Sequence, residues 1–84
     1  MEKTLPSTTE VVEKLREILV GFQVAADKVT PEAGFEALGL DSLDVVEMSV
    51  KVEDAYDIEI DEDDLQQATT VGLAADLVIA KLRS

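Results

Sequence analysis

The sequence of 84 residues contains no cysteine and no histidine. Without cysteine, the polypeptide cannot form a disulfide, a thiolate metal site or a thiol nucleophile of its own. Without histidine, it lacks the commonest general base and metal ligand. No stretch approaches the roughly 18 apolar residues of a membrane span, and the N-terminus lacks the apolar core of a signal peptide. We therefore expect a soluble, cytoplasmic protein.

Basic residues are also scarce. Seven of them face nineteen acidic residues, which gives a net charge of −12, so binding to nucleic acid is excluded by repulsion from phosphate. Residues 41–64 hold eleven of the acids and one lysine, a net charge of −10. Because 46% of all residues are hydrophobic and recur periodically, the chain should fold, with the repulsion relieved by salt or Mg²⁺.

The length allows one small domain, residues 1–84, with residues 1–6 frayed. Helical spacing of the apolar residues predicts an all-α bundle of three longer helices and one short helix. Ser7 and Glu10 form a predicted capping box for a first helix that runs to about Phe22. A long loop follows, over residues 23–40, and such loops are usually functional or held by apolar anchors, here Phe35 and Leu38.

The second predicted helix, DSLDVVEMSVKVEDAY, has Asp41 as its cap and Asp44 three residues later. Its core face is Val45, Met48, Val52 and either Ala55 or Tyr56. A second stripe along this helix has three apolar residues beside three acidic ones. Its spacing alone fits either a surface on which another protein docks or an extension of the hydrophobic core. The stripe consists of Leu43, Val46 and Val50 with Asp44, Glu47 and Asp54.

The remaining elements are a loop, a short helix and a last helix. Ile58 and Ile60 should point inward from the loop, Asp61 should cap the short helix through about Gln67, and Thr69-Thr70 should cap the last helix. Seven residues are expected to line the core between helices: Leu15, Ile18, Leu19, Met48, Val52, Leu77 and Val78.

Little intrinsic chemistry is available. The carboxylates flank helix faces with no nucleophile or oxyanion motif nearby, so we expect no enzyme. A twelve-residue calcium loop beginning at Asp57 would need glycine at Glu62 and glutamate at Ala68, so we expect no dedicated metal site. Ser42, exposed at a helix start, remains; such a serine is usually structural, but a phosphate ester there would be stabilised by the helix N-terminus.

The stretch LGLDSLDVVEM, residues 38–48, resembles the modification motif of the acyl carrier protein family. The resemblance extends over about residues 8–82 and includes AYDIEIDEDD before the third helix and TTVG at the last. It implies that a phosphopantetheinyl transferase attaches 4′-phosphopantetheine from coenzyme A to Ser42. The thiol of this cofactor would carry acyl groups as thioesters between enzymes of a fatty-acid or polyketide synthase.

The same resemblance implies roles for the neighbouring residues. Gly39, Asp41 and Leu43 belong to the motif, with Asp41 capping the helix and helping to position Ser42 or the transferase's metal. The implied partners are the transferase, a ketosynthase, an acyltransferase and other synthase enzymes with basic docking patches, and the carrier itself should be a monomer. The docking residues would be Leu43, Asp44, Val46, Glu47, Val50, Glu53 and Asp54.

Departures from the common bacterial fatty-acid pattern concern the pathway rather than the serine. Ala37 replaces an acidic residue, Leu40 replaces alanine, Asp61 replaces proline, and Phe35 has a spacing associated with polyketide carriers. A carrier for an amino acid or another specialised acid is therefore an alternative. An acidic helical adaptor that binds basic proteins without modification is the alternative of another class.

Overall fold

A computed structural model describes residues 5–83, which form four α-helices and contain no β-strand. The predicted all-α fold class, with one short helix and a long loop after the first helix, is confirmed. The frayed segment predicted for residues 1–6 lies largely outside the described residues. The helices are α1 (Thr8–Val20), α2 (Ser42–Tyr56), α3 (Glu62–Gln67) and α4 (Val71–Arg83), with a 3₁₀ turn at Ala26–Lys28.

Helix α1 begins with the predicted capping box. The Glu10 N–H donates to Ser7 Oγ at 3.2 Å, and the Ser7 N–H donates to Glu10 Oε1 at 3.5 Å. The helix ends at Val20 rather than near Phe22, because the chain turns at Gly21 and Gln23 takes a left-handed φ of 69°. Helical spacing does not report such a turn, since Phe22 still packs against the core from outside the helix.

The loop between α1 and α2 is well anchored. Val24, Val29, Phe35 and Leu40 are buried, so the predicted anchoring by Phe35 is confirmed and extended. Leu38, the other predicted anchor, is half-buried against the same core. On the α1 side, the Arg16 guanidinium donates to the carbonyls of Ala26 at 3.1 Å and Val29 at 2.9 Å.

The loop is also bonded to the start of α4. The Val71 N–H donates to the Ala33 carbonyl at 2.9 Å, and the Gly72 N–H donates to the Pro31 carbonyl at 2.8 Å. The Phe35 N–H donates to the Thr69 carbonyl at 3.1 Å. We call these three backbone hydrogen bonds the loop–α4 seam. The bonds from Val71 and Gly72 satisfy helix-start donors that have no partner within the helix itself.

The core face of α2 is close to the predicted one. Met48 and Val52 are buried, Val45 and Tyr56 are half-buried against them, and Ala55 is exposed. Of the two alternatives for the last position, Tyr56 is therefore the core residue.

The connection and the short helix differ from prediction in one detail. Ile58 and Ile60 pack against the core as expected. Asp61 occupies the cap position of α3, but its side chain makes no capping hydrogen bond. Residue type favours an aspartate at a helix start, but it does not determine whether the carboxylate turns toward the N–H donors.

The core lies where α1 packs against α4 and α2, and α3 packs against α4. Five of the seven predicted core residues are buried: Leu15, Leu19, Met48, Val52 and Val78. Ile18 and Leu77 are half-buried at its edge. The other buried side chains lie in the N-terminal halves of α1 and α4, in the loop and directly after α3: Val11, Val12, Val24, Val29, Leu40, Ala68, Val71, Ala74 and Ala75.

Candidate functional site

Ser42 is the first residue of α2, directly after the cap at Asp41. The Asp44 N–H donates to Asp41 Oδ1 at 2.9 Å, and the Asp41 N–H donates to Asp44 Oδ2 at 3.3 Å. The predicted acidic capping box is thus confirmed. Because the aspartate provides the cap, the serine hydroxyl is not needed for it.

The Ser42 side chain is exposed, and within residues 5–83 no hydrogen bond involves its hydroxyl. In the same described part of the chain, the backbone N–H groups of Ser42 and Leu43 have no protein acceptor. The positive end of the α2 dipole and two available donors therefore lie beside a reachable hydroxyl. This arrangement fits a phosphate ester on Ser42 Oγ.

Gly39 shapes the approach to the serine. It has a φ of 84°, which side-chain-bearing residues seldom adopt, and a Cβ there would meet nothing within 4 Å. Backbone conformation rather than crowding therefore requires glycine here. The turn lets the Gly39 N–H bond the Glu36 carbonyl at 3.0 Å and directs buried Leu40 toward the core just before Asp41.

An open cavity of about 690 Å³ lies between the loop, α2 and α3, and Ser42 is on its rim. Polar residues, among them Asp41, Glu62 and Thr69, line part of it. The apolar part of the lining comes from Phe35, Leu40, Val45, Val46, Leu65 and Ala68. A flexible chain attached at Ser42 would have both apolar and polar surface within reach.

Three apolar side chains lie exposed along α2 beyond the serine. Leu43, Val46 and Val50 are 67%, 46% and 49% exposed, and we call them the α2 apolar patch. The alternative that they broaden the core is therefore wrong. Their helical spacing places them on one side of the helix, away from buried Met48 and Val52.

The predicted acidic residues around the patch differ in whether their carboxylates are free to contact a partner. Glu47 and Asp54 are exposed, whereas Asp44 is half-buried and engaged in the capping box. Glu53 Oε2 accepts a hydrogen bond from the Ile60 N–H at 2.8 Å. That carboxylate therefore holds the α2–α3 connection, a contact that the sequence pattern does not reveal.

One ion pair joins the acidic region to the end of α4. Lys81 Nζ lies 2.9 Å from Asp64 Oδ2, and the hydrogen bond with Asp64 raises the pKa of Lys81. Within residues 5–83 no cluster of three or more acidic residues is suited to hold a metal ion. None of the helices in that range has the length and hydrophobicity to cross a membrane.

Residues 10–78 match the family model described as the phosphopantetheine attachment site. This match covers well over half of the chain and includes the whole of α2 and α3. The chain belongs to the acyl carrier protein family. The resemblance expected from the LGLDSL stretch is therefore confirmed.

Similar acyl carrier proteins agree in sequence and in fold. The acyl carrier protein of a Picosynechococcus strain is 39% identical over 86% of this chain and 91% of its own length. Acyl carrier protein 4, chloroplastic, of Arabidopsis thaliana is 42% identical over 82% of this chain and 52% of its own. The crystal structure of a Thermotoga maritima acyl carrier protein has a TM-score of 0.82, with 27% identity, covering 90% of this chain and 91% of that one.

Membership defines the general role of this acyl carrier protein. It is a carrier and not an enzyme, its cofactor is 4′-phosphopantetheine, and its partners are a phosphopantetheinyl transferase and synthase enzymes. These conclusions agree with the lack of cysteine and histidine, because the chemistry resides in the cofactor and the partners.

Proposed function

We propose that Ser42 is the attachment residue and that this acyl carrier protein transports acyl intermediates of fatty-acid or polyketide biosynthesis. The observation that carries the proposal is the exposed hydroxyl at the start of α2, released from capping by Asp41. The other serine at a described helix start, Ser7, is itself a cap, and Ser49 is buried with its hydroxyl donating to the Val46 carbonyl at 2.6 Å.

The attachment step is a phosphoryl transfer. Ser42 Oγ bonds to the phosphorus that carries the pantetheine of coenzyme A, the bond from that phosphorus to the bridging oxygen of the diphosphate breaks, and adenosine 3′,5′-bisphosphate leaves. The serine proton passes to a base of the transferase. The N–H groups of Ser42 and Leu43 are available to the phosphodiester, and the α2 dipole favours its negative charge.

Once attached, the cofactor supplies a thiol on which acyl groups travel as thioesters. The cavity beside Ser42, with apolar walls from Phe35, Val46 and Leu65, supports an acyl cargo. The same site would also accept the alternative cargo, an amino acid or another specialised acid, because Asp41 and Glu62 give the cavity a polar side.

Partners would dock on the α2 apolar patch. Its exposed apolar area favours contact with another protein, and Glu47 and Asp54 would face basic residues of that partner. Exposed ion pairs contribute only about 0–1 kcal/mol each, so docking would be brief and sensitive to salt. A shuttle requires brief docking, because tight binding to one enzyme would delay delivery to the next. The monomeric state and the cytoplasmic location stay predictions.

The direct test is intact mass after incubation of the protein with coenzyme A, Mg²⁺ and a promiscuous phosphopantetheinyl transferase. The wild-type protein should gain one phosphopantetheine, and Ser42→Ala should gain none. Ser7→Ala and Ser49→Ala are matched controls that remove other described serines, and both should be modified like the wild type.

Either of two outcomes would contradict the attachment proposal. Modification of Ser42→Ala would move the attachment to another residue. A folded wild-type protein that no transferase modifies would leave Ser42 without this role and favour the acidic adaptor. Transfer assays of the loaded carrier, with fatty-acid or polyketide ketosynthases and with amino-acid-activating enzymes, would then separate the pathways.

A further inference from the structure

The loop–α4 seam fixes the loop to the bundle just before the proposed attachment residue. Two of its bonds use donors from the first turn of α4, at Val71 and Gly72. The remaining donor of that turn, the Leu73 N–H, bonds Thr70 Oγ1 at 3.1 Å. The first turn of α4 thus directs two donors to the loop and one to its own cap, so the loop is held by backbone atoms rather than by exposed side chains.

A short chain of contacts leads from the seam to Ser42. Phe35 donates its N–H to Thr69, and its carbonyl accepts the N–H groups of Leu38 and Leu40, each at 3.1 Å. The Phe35 side chain is only 4% exposed, and Leu40 is 7% exposed. Asp41 follows directly and caps α2. A displacement at the seam would therefore reach the first turn of α2 through buried, hydrogen-bonded atoms.

Gly72 is the tightest point of the seam. A Cβ at this position would lie 2.9 Å from the Pro31 carbonyl oxygen, a distance at which backbone atoms must move. Gly34 lies in the same seam, yet a Cβ there would approach only the Thr69 carbonyl oxygen, at the ordinary distance of 3.6 Å. The chain therefore offers a pair of glycines that differ in steric tolerance at one junction.

We propose that the loop–α4 seam, with Gly72 at its closest contact, positions the first turn of α2 for modification of Ser42. Gly72 is a positioning residue, since it lies outside the cavity beside Ser42 and acts through Pro31 and Phe35. The inference rests on the proposed attachment at Ser42. It adds that the rate of attachment depends on a junction formed by a different helix.

The test compares Gly72→Ala with Gly34→Ala in steady-state kinetics of phosphopantetheine transfer. In Gly72→Ala, kcat should fall roughly tenfold because the hydroxyl is no longer held in the productive orientation. KM should change less than kcat, since Val46 and Val50 of the α2 apolar patch lie beyond the first turn of α2. Hydrogen exchange of the Leu40 amide, which bonds the Phe35 carbonyl, should become faster. Gly34→Ala should match the wild type in all three measurements.

Two further variants separate positioning from stability. Thr70→Ala removes the cap of Leu73 without placing an atom between α4 and the loop, so it should lower the unfolding midpoint and leave kcat unchanged. Pro31→Gly keeps the carbonyl but frees the backbone of the loop, and it should lower kcat even if Gly72→Ala fails to fold.

The outcomes distinguish the seam from the attachment itself. Normal kcat and normal Leu40 exchange in folded Gly72→Ala would overturn the role of the seam while leaving Ser42 as the attachment residue. An equal fall of kcat in Thr70→Ala would also overturn it, because the effect would then follow stability. A wild-type protein that is not modified would instead contradict the proposed function, before any variant is compared.

Discussion

Helices α2 and α4 begin in opposite ways. At α4, the loop carbonyls of Pro31 and Ala33 accept the first N–H donors, and the Thr70 hydroxyl accepts the next. At α2, the cap at Asp41 accepts the Asp44 N–H, and the described chain supplies no acceptor for the two donors before it. Helix α4 uses its first turn to hold the fold together, whereas α2 leaves its first turn open to a ligand.

The difference arises from the surroundings rather than from the capping residues. Both starts carry a capping side chain of the preferred kind, Asp41 in one and Thr70 in the other. The α4 start packs against the anchored loop, while Ser42 and Leu43 at the α2 start are exposed. A helix N-terminus therefore becomes a binding site only where the rest of the chain leaves its donors unused.

Phe35→Ala should disrupt the start of α4, where the loop is bonded to the helix. It gives the largest expected change in stability. The side chain is buried below the loop–α4 seam, and its removal should lower the free energy of unfolding by about 3–5 kcal/mol. Urea denaturation measures this loss. Phe22→Ala is the matched control: Phe22 is half-buried, so it should lose clearly less. Equal losses would mean that Phe35 does not anchor the loop.

Asp41→Ala should destabilise the start of α2, where the first N–H donors are unused. It removes the acceptor of the Asp44 N–H and one half of the capping box, so we expect a loss of about 1 kcal/mol in the free energy of unfolding. Thr70→Ala should lose less, about 0.5 kcal/mol, because the seam still satisfies its neighbours. Asp41→Asn keeps a capping oxygen and should be near wild type in urea denaturation; a larger loss in Thr70→Ala would reverse the comparison.

Salt should stabilise the acidic region that begins at the start of α2. Residues 41–64 hold a net charge of −10, and screening of their repulsion should raise stability by about 0.5 kcal/mol, or about 2–4 °C in the thermal midpoint. Calorimetry at low and moderate NaCl measures the shift. Asp63→Asn, within this region, should reduce it, whereas Glu32→Gln, outside it, should not. An unchanged midpoint would show that the repulsion is negligible.

The far end of α2 should give the smallest effect, at high pH. Burial, and then the charges of Glu10 and Glu17, raise the pKa of Tyr56. The fold thus favours the neutral phenol. The stability that Tyr56 contributes is therefore fully present below the usual pKa of about 10, and it is lost as the pH rises through the raised pKa of the folded protein. Tyr56→Phe should lose less stability than wild type in urea denaturation at high pH, with the two matched near neutral pH. Parallel pH profiles would contradict this.

The helices and the candidate serine could be predicted because their determinants are local. Apolar spacing and capping boxes act over a few residues, which is why the acidic cap before Ser42 was correct. The end of α1 was placed too late, because the left-handed turn at Gln23 leaves the apolar pattern intact. Asp61 has the right residue type for a cap but makes no capping bond.

Contacts between distant segments could not be predicted in the same way. The loop–α4 seam consists of backbone hydrogen bonds. Every residue has a backbone carbonyl and every non-proline residue has an N–H, so residue identity does not mark the seam. The bond from the Ile60 N–H to Glu53 joins two elements through one of several similar carboxylates. Periodicity indicates which face is apolar, but it does not show which polar atoms meet across a fold.

The acidic cap of α2 also fixes the first residue of that helix. Ser7 shows what a serine does when it occupies the cap position itself: its hydroxyl is committed to the Glu10 N–H. Without the side chain of Asp41, Ser42 would be the next residue able to cap, and we expect the helix register to move forward by one residue. The hydroxyl would then face its own backbone. By capping α2, Asp41 thus keeps the Ser42 hydroxyl accessible to other molecules.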